Sequence, residues 1–213
     1  MKKQSGFTLI ELAIVLVIIG LLLGGVLKGQ ELINSAKVKN MASDFKNTQV
    51  YIYGYQDKYR ALPGDDANAV THLGLTATPG TGGTLGNGVI QGAWDAVGTE
   101  ESAVFWQHVR LAGLAPGGTV VGASGYFPTN ADGGRIGIQS VSGFTKITSM
   151  TGSFAICSNA ILGKFVKQLD TALDDGETST GSFRANLVAT AIGAGVTTAA
   201  IVDSDSYTGC LTF

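Results

Sequence analysis

Residues 7–27 read FTLIELAIVLVIIGLLLGGVL, an unbroken apolar run that holds a single ionisable side chain, Glu11. As a helix at ~1.5 Å per residue the run spans about 32 Å, enough to cross a hydrocarbon core of ~30 Å. Lys2 and Lys3 precede it, and no acid does. Positive charge stays on the cytoplasmic side of a membrane helix, so the N-terminus is expected in the cytoplasm and the bulk of the chain across the membrane. A secretory signal peptide fits poorly: the run exceeds an apolar region of roughly 7–15 residues, and no A-x-A-like cleavage site follows. A plain single-pass anchor leaves Glu11 unexplained. An acid at the centre of a membrane helix costs roughly 2.5–3.5 kcal/mol, less near an end, so Glu11 calls for a partner.

The helical pattern continues past the membrane stretch. Val38, Met41, Phe45, Thr48, Ile52, Tyr55 and Tyr59 recur at spacings of three and four, an amphipathic stripe at helical period. No proline interrupts the chain from Phe7 to Leu62, and Pro63-Gly64 ends the run. The reading is one helix from Phe7 to about Tyr59, ~80 Å long. Its first half is embedded and its second half lays an apolar stripe on a head. Gly20, Gly24, Gly25 and Gly29 weaken helix propensity by up to ~1 kcal/mol each.

Residues 63–213 are poor in charge and rich in Gly, Thr, Ser and Ala. Asp65 or Asp66 is placed to cap a short helix through Leu73. Residues 78–92, TPGTGGTLGNGVIQG, read as a flexible surface loop. Helices are expected at Glu101–Leu114, ended by Gly113 or Pro116, and at Ala160–Leu173, with Ile161, Phe165, Leu169 and Leu173 on one face and Gly176 as a stop. Arg135–Val141 and Ser153–Ser158 read as strands, and Phe183–Ala191 and Tyr207–Phe213 as strands or extended edges. Strands interleaved with helices after one long helix give an α+β class: a long N-terminal helix packed on a Gly-rich globular head with an antiparallel sheet.

Several functions are disfavoured. There are 14 Lys+Arg against 16 Asp+Glu, and loss of Lys2 and Lys3 would widen the gap, so no nucleic-acid partner is expected for the head. His72, His108, Cys157 and Cys210 lack zinc-finger spacing. Neither His stands in a recognisable nucleophile setting, and His108 reads as a packing or surface residue. The 78–92 loop lacks the G-x-x-x-x-G-K-[ST] phosphate cradle. The chain is therefore not expected to be an enzyme.

The string Gly6-Phe7-Thr8-Leu9-Ile10-Glu11, behind a short Lys-containing leader, resembles the processing site of type IV prepilins. The resemblance implies cleavage between Gly6 and Phe7 by a membrane-embedded prepilin peptidase, and N-methylation of Phe7. It also implies that Glu11 meets the charged N-terminus at Phe7 of a neighbouring subunit, which offsets part of the cost of both charges and sets axial register. The implied organisation is a leader at 1–6, a transmembrane and assembly helix at 7–27, its amphipathic continuation at 28–62 and a pilin head at 63–213. The implied protein is a structural subunit of a pilus-like filament. It would be a single-pass inner-membrane precursor, then part of a filament at the cell surface or in the periplasm. Its implied partners are further copies of itself, the peptidase, and an inner-membrane assembly platform and motor. A pseudopilin of a type II secretion system, or a minor pilin for adhesion or DNA uptake, remains an alternative. Leu62-Pro63-Gly64-Asp65, Phe105-Trp106-Gln107-His108 and Leu173-Asp174-Asp175-Gly176 are similar to segments of a Gly-rich subgroup of prepilin-like proteins.

Beyond the membrane the head meets an oxidising compartment, so Cys157 and Cys210 are expected to form a disulfide, the alternative being two buried thiols. Asp170, Asp174, Asp175 and Glu177 crowd the end of a predicted helix, where acids oppose the dipole. A solvated turn, compensation by Arg184 or Lys167, or a bound calcium ion of the kind some pseudopilin heads hold in a C-terminal loop would each account for them. No other cofactor is expected.

Overall fold

The computed structural model describes residues 8–213. Helix α1, Leu9–Tyr59, is 51 residues long, and the chain divides into two compact units, Met1–Lys37 and Val38–Phe213. In the first unit α1 exposes apolar side chains on every side, from Leu9 and Ile10 through Leu16, Leu21 and Leu27 to Ile33. It is the one helix among the described residues long and apolar enough to cross a membrane. Helix runs unbroken through Gly20, Gly24, Gly25 and Gly29.

In the second unit α1 turns one-sided. Val38, Met41, Ala42, Phe45, Thr48, Ile52 and Tyr55 are buried, which is the stripe read from the spacing; Tyr59 is half-buried. Arg60 closes the helix in the left-handed region, at φ 55°. The remaining elements are α2 (Ala69–Leu73), α3 (Glu101–Leu111), β1 (Ile136–Ser140), β2 (Phe154–Leu162), α4 (Gly163–Leu173), β3 (Phe183–Leu187) and β4 (Ser206–Thr212). The strands form one antiparallel sheet in the order β1-β2-β4-β3. The α1 stripe, Phe105, Trp106 and Val109 of α3, Phe165, Val166 and Leu169 of α4, and Ile138, Ile156 and Phe183 of the sheet share one core. Phe45 meets Phe183 edge to face at 5.7 Å. Both sheet edges are covered. On β1, Ser140 N–H donates to Ile90 O (3.0 Å), and Trp94 N–H donates to Gln139 Oε1 (2.8 Å). On β3, Val196 N–H donates to Ala185 O (2.8 Å).

Several boundaries differ from the sequence reading. α4 starts at Gly163, not Ala160, because β2 continues to Leu162 by pairing Ile161 with Tyr207 and Leu162 with Ser206. Ile161 therefore buries from the sheet. An irregularity between Ser158 and Ile161, with Ala160 at φ 55°, lets the strand resume pairing after a break that looks like a helix start in the sequence. α3 ends at Leu111, and Gly113 follows at φ 77°. β3 stops at Leu187. Neither Asp65 nor Asp66 caps α2; its N-cap position is Asn68, and no side chain caps it.

Cys157 and Cys210 lie directly opposite each other in β2 and β4 and are joined by a disulfide, both fully buried. Alternation along a strand puts them on the face opposite Ile156, where Trp94, Ile147 and Met150 cover them. The bond closes a separation of 53 residues. Replacing both cysteines by alanine should cost roughly 4 kcal/mol of unfolding free energy on the chain-entropy account. Urea unfolding curves of the two proteins check this, and equal midpoints would contradict it.

Candidate assembly helix and head joint

At the start of α1, Thr8 and Glu11 form a reciprocal cap. Glu11 Oε2 accepts the Thr8 N–H (2.7 Å) and the Thr8 hydroxyl (2.7 Å), and Thr8 Oγ1 faces the Glu11 N–H at 3.4 Å. This is the T-x-x-E capping box, which satisfies donors that a helix start leaves without partners. The pattern stands in the sequence, but Glu11 was read there only for its charge in lipid. Gly6 and Phe7, the expected cleavage and methylation positions, lie outside the described residues.

The three head segments singled out in the sequence come to defined places. The first two meet. His108 on α3 accepts the Gly64 N–H at Nδ1 (2.9 Å) and donates from Nε2 to Thr78 O (2.9 Å). Those partners fix a neutral ring with its proton on Nε2, and burial holds His108 below its usual pKa. Gly64 sits at φ 92°, and a Cβ there would come within 2.3 Å of Glu101 O, so only glycine fits the joint. Gln107 accepts the Thr78 N–H (2.7 Å) and donates to Thr119 O (2.8 Å). Asp65 accepts N–H groups from Gly86 (2.6 Å), Asn87 (3.3 Å) and Gly88 (2.7 Å). Glu101 Oε2 accepts the Gln91 N–H (2.8 Å). The 78–92 segment is irregular and largely exposed, as expected of a surface loop, but these buried carboxylates tie it down, which corrects its reading as flexible.

Beside this joint, Asp66 Oδ2 accepts the Tyr55 hydroxyl (2.7 Å) and pairs with His72 Nδ1 (2.7 Å), while Oδ1 accepts the Asn68 N–H (2.8 Å). Burial alone would push Asp66 up; the hydrogen bonds outweigh it and leave the carboxyl below its usual range. Tyr59 stacks on His72, with centroids 5.1 Å apart. Among the described residues neither imidazole is hydrogen bonded to a hydroxyl or thiol, so the geometry activates no nucleophile.

The third segment forms the turn after α4. Asp174 Oδ2 accepts the Ser182 and Phe183 N–H groups, the latter at 3.0 Å. Asp175 Oδ1 accepts the Glu177 N–H (2.9 Å). Asp170, Asp174 and Asp175 bring carboxylate oxygens within 4.8 Å of one another. Glu177 is turned to other work: its Oε1 accepts the Thr198 N–H (2.9 Å) and the Ser179 hydroxyl (2.8 Å). Neither expected cation answers the acids. Lys167 pairs with Asp203 (2.9 Å), and Arg184 Nε donates to Gly181 O (3.1 Å).

With this geometry in place, the comparisons define the class of the N-terminal segment. Residues 1–27 match the family model described as the prokaryotic N-terminal methylation motif, the signature of prepilins and pseudopilins. No curated protein and no solved structure matches the chain. The motif and the apolar helix together fit a membrane-anchored precursor.

Two measurements probe the joint. Asp65→Ala removes the buried charged acceptor of three loop amides and should cost about 1–3 kcal/mol. Limited proteolysis should then cut within residues 82–90, where the wild type resists. His108 is held neutral by the fold, so the unfolded chain binds more protons below the ordinary histidine pKa, and stability contributed by the joint falls as pH drops. The difference in unfolding free energy between wild type and His108→Gln should therefore shift against the wild type from about pH 7 to about pH 5. A pH-independent difference would contradict the neutral assignment.

Proposed function

We propose that this protein is a structural subunit of a type IV pilus-like filament. The precursor is cut between Gly6 and Phe7 by a prepilin peptidase, Phe7 is N-methylated, and the apolar start of α1 then packs against the same segment of other copies. The observation that carries the reading is the methylation motif at residues 1–27 on a helix whose apolar side chains are exposed all round within its own unit. Proteins with this motif are structural subunits rather than enzymes.

Burial of that segment among neighbours gains little over lipid, because acyl chains are as apolar as leucine. Polar pairing then decides register. In the single chain the Glu11 carboxylate is held by Thr8. In the filament it exchanges those neutral donors for the charged N-terminus at Phe7 of the next copy. Both arrangements hydrogen bond the carboxylate, but only the ammonium brings an opposite charge, whose attraction is strong where water is excluded and favours the exchange. The head, tied by its disulfide and covered at both sheet edges, forms the outer surface. An inner-membrane platform and motor drive assembly.

Glu11→Ala should leave leader cleavage intact and abolish filaments. Mass spectrometry of the membrane fraction reads the first, and electron microscopy of sheared material the second. Normal filaments from this variant would overturn the pairing.

A further inference from the structure

We infer that the cavity between α1 and α3, bordered by Asp44 and Trp106, binds the hydroxyl edge of a sugar ring. The cavity measures about 130 Å³. Two polar groups on its walls have no partner among the described residues. Trp106 is 3% exposed, and its indole Nε1–H is buried without an acceptor. A buried indole N–H ordinarily finds a partner, and leaving it unmet is costly. Asp44 is half-buried on α1. Burial pushes its carboxyl up to about 6, and no hydrogen bond or cation pulls it back. A donor without an acceptor and an acceptor without a donor therefore line one small space.

Elimination narrows the ligand. An ammonium would answer Asp44 but carries no acceptor for the indole. An anion would answer the indole but meet the Asp44 charge. The guanidinium in the same wall is already committed: Arg110 donates to Pro116 O (3.0 Å), Gly118 O (2.9 Å) and Tyr126 O (2.6 Å). The ligand must donate and accept side by side, and hydroxyls do both, rotating to suit their partners. Two neighbouring hydroxyls can answer both Asp44 oxygens and still accept from the indole, whereas a carboxamide has one donor nitrogen. The C–H edge of a sugar ring suits the rest of the wall, where Tyr51, Pro116, Pro128 and Ile136 lie. Volume sets the extent of the contact. Pockets that enclose a whole small molecule run to about 300–1,000 Å³, so this one takes the edge of a single ring and leaves the rest of a glycan outside. The site lies wholly in the second unit and is independent of the filament reading.

The test uses the full-length chain in a detergent without a sugar headgroup. The probes are the methyl glycosides of glucose, galactose, mannose and N-acetylglucosamine, with acetamide and methylammonium as controls. Trp106 is one of two tryptophans, and the other, Trp94, covers the disulfide on the far face of the sheet. Tryptophan emission therefore reports on the cavity, and isothermal titration reads affinity and stoichiometry. At least one glycoside should bind once per chain and shift the emission. Trp106→Phe should abolish that shift and weaken binding. Asp44→Asn should weaken binding about tenfold or more, and should not lower Tm, because an isolated charge is gone. It carries the test if the Trp106 variant does not fold. Failure of every glycoside to bind would overturn the site, as would wild-type affinity in Asp44→Asn. Acetamide or methylammonium binding as tightly as the best glycoside would overturn the assignment to hydroxyls.

Discussion

Everything in this chain follows from one helix that must satisfy two solvents. Up to Leu27, α1 offers apolar side chains in every direction, which only lipid or other apolar helices can accept. From Val38 the same helix narrows its apolar surface to a stripe that a single head can cover. Nothing in the backbone marks the change; α1 is continuous across it. The change is written in side chains alone: Lys28, Gln30 and Glu31 end the apolar run, and Lys37, Lys39, Asp44 and Lys46 then flank the stripe. The two ends of α1 differ accordingly. Its start is closed by a polar cap, Thr8 with Glu11, that makes the one acid of the apolar segment tolerable. Its other end is closed by a left-handed residue and a dense polar joint.

That joint explains why a Gly-rich, charge-poor head holds together. Loops rich in glycine lose much backbone freedom on folding and bring few side chains to bury. Here the loss is offset by buried carboxylates and an imidazole aimed at backbone groups. Asp65 gathers the 86–88 amides, Glu101 holds Gln91, and His108 clamps Gly64 to Thr78. Hydrogen bonds to charged acceptors contribute roughly 1.5–3 kcal/mol each, more than a neutral pair, so few charges suffice if they are placed well. The disulfide adds a constraint on the far face of the sheet, between strands that the ladder already aligns.

Much of this was legible in the sequence, and for physical reasons. The stripe from Val38 to Tyr55 repeats over several turns, so its period is unambiguous. Pro63 cannot continue a helix. The cysteines announced a covalent tie, and strand pairing put them face to face. What the sequence hid was of another kind. Ala160 and Ile161 sit in good helical company, yet a strand partner at Tyr207 claims Ile161, and partners distant in the chain leave no local trace. The acids at Asp65 and Asp66 look like caps because they precede a helix; their donors come from residues 86–88, from Tyr55 and from His72. The Thr8–Glu11 box, by contrast, is fully visible in the sequence as T-x-x-E at the start of an apolar helix.

The account rests on the chain being trimmed at Gly6 and assembled through the segment that follows. The most direct measurement is intact-mass spectrometry of the protein in sheared surface material and in the membrane fraction. The account predicts a chain that begins at N-methylated Phe7, enriched in the sheared filaments. A chain that still carries Met1–Gly6, or one cut after Gly25, would contradict it.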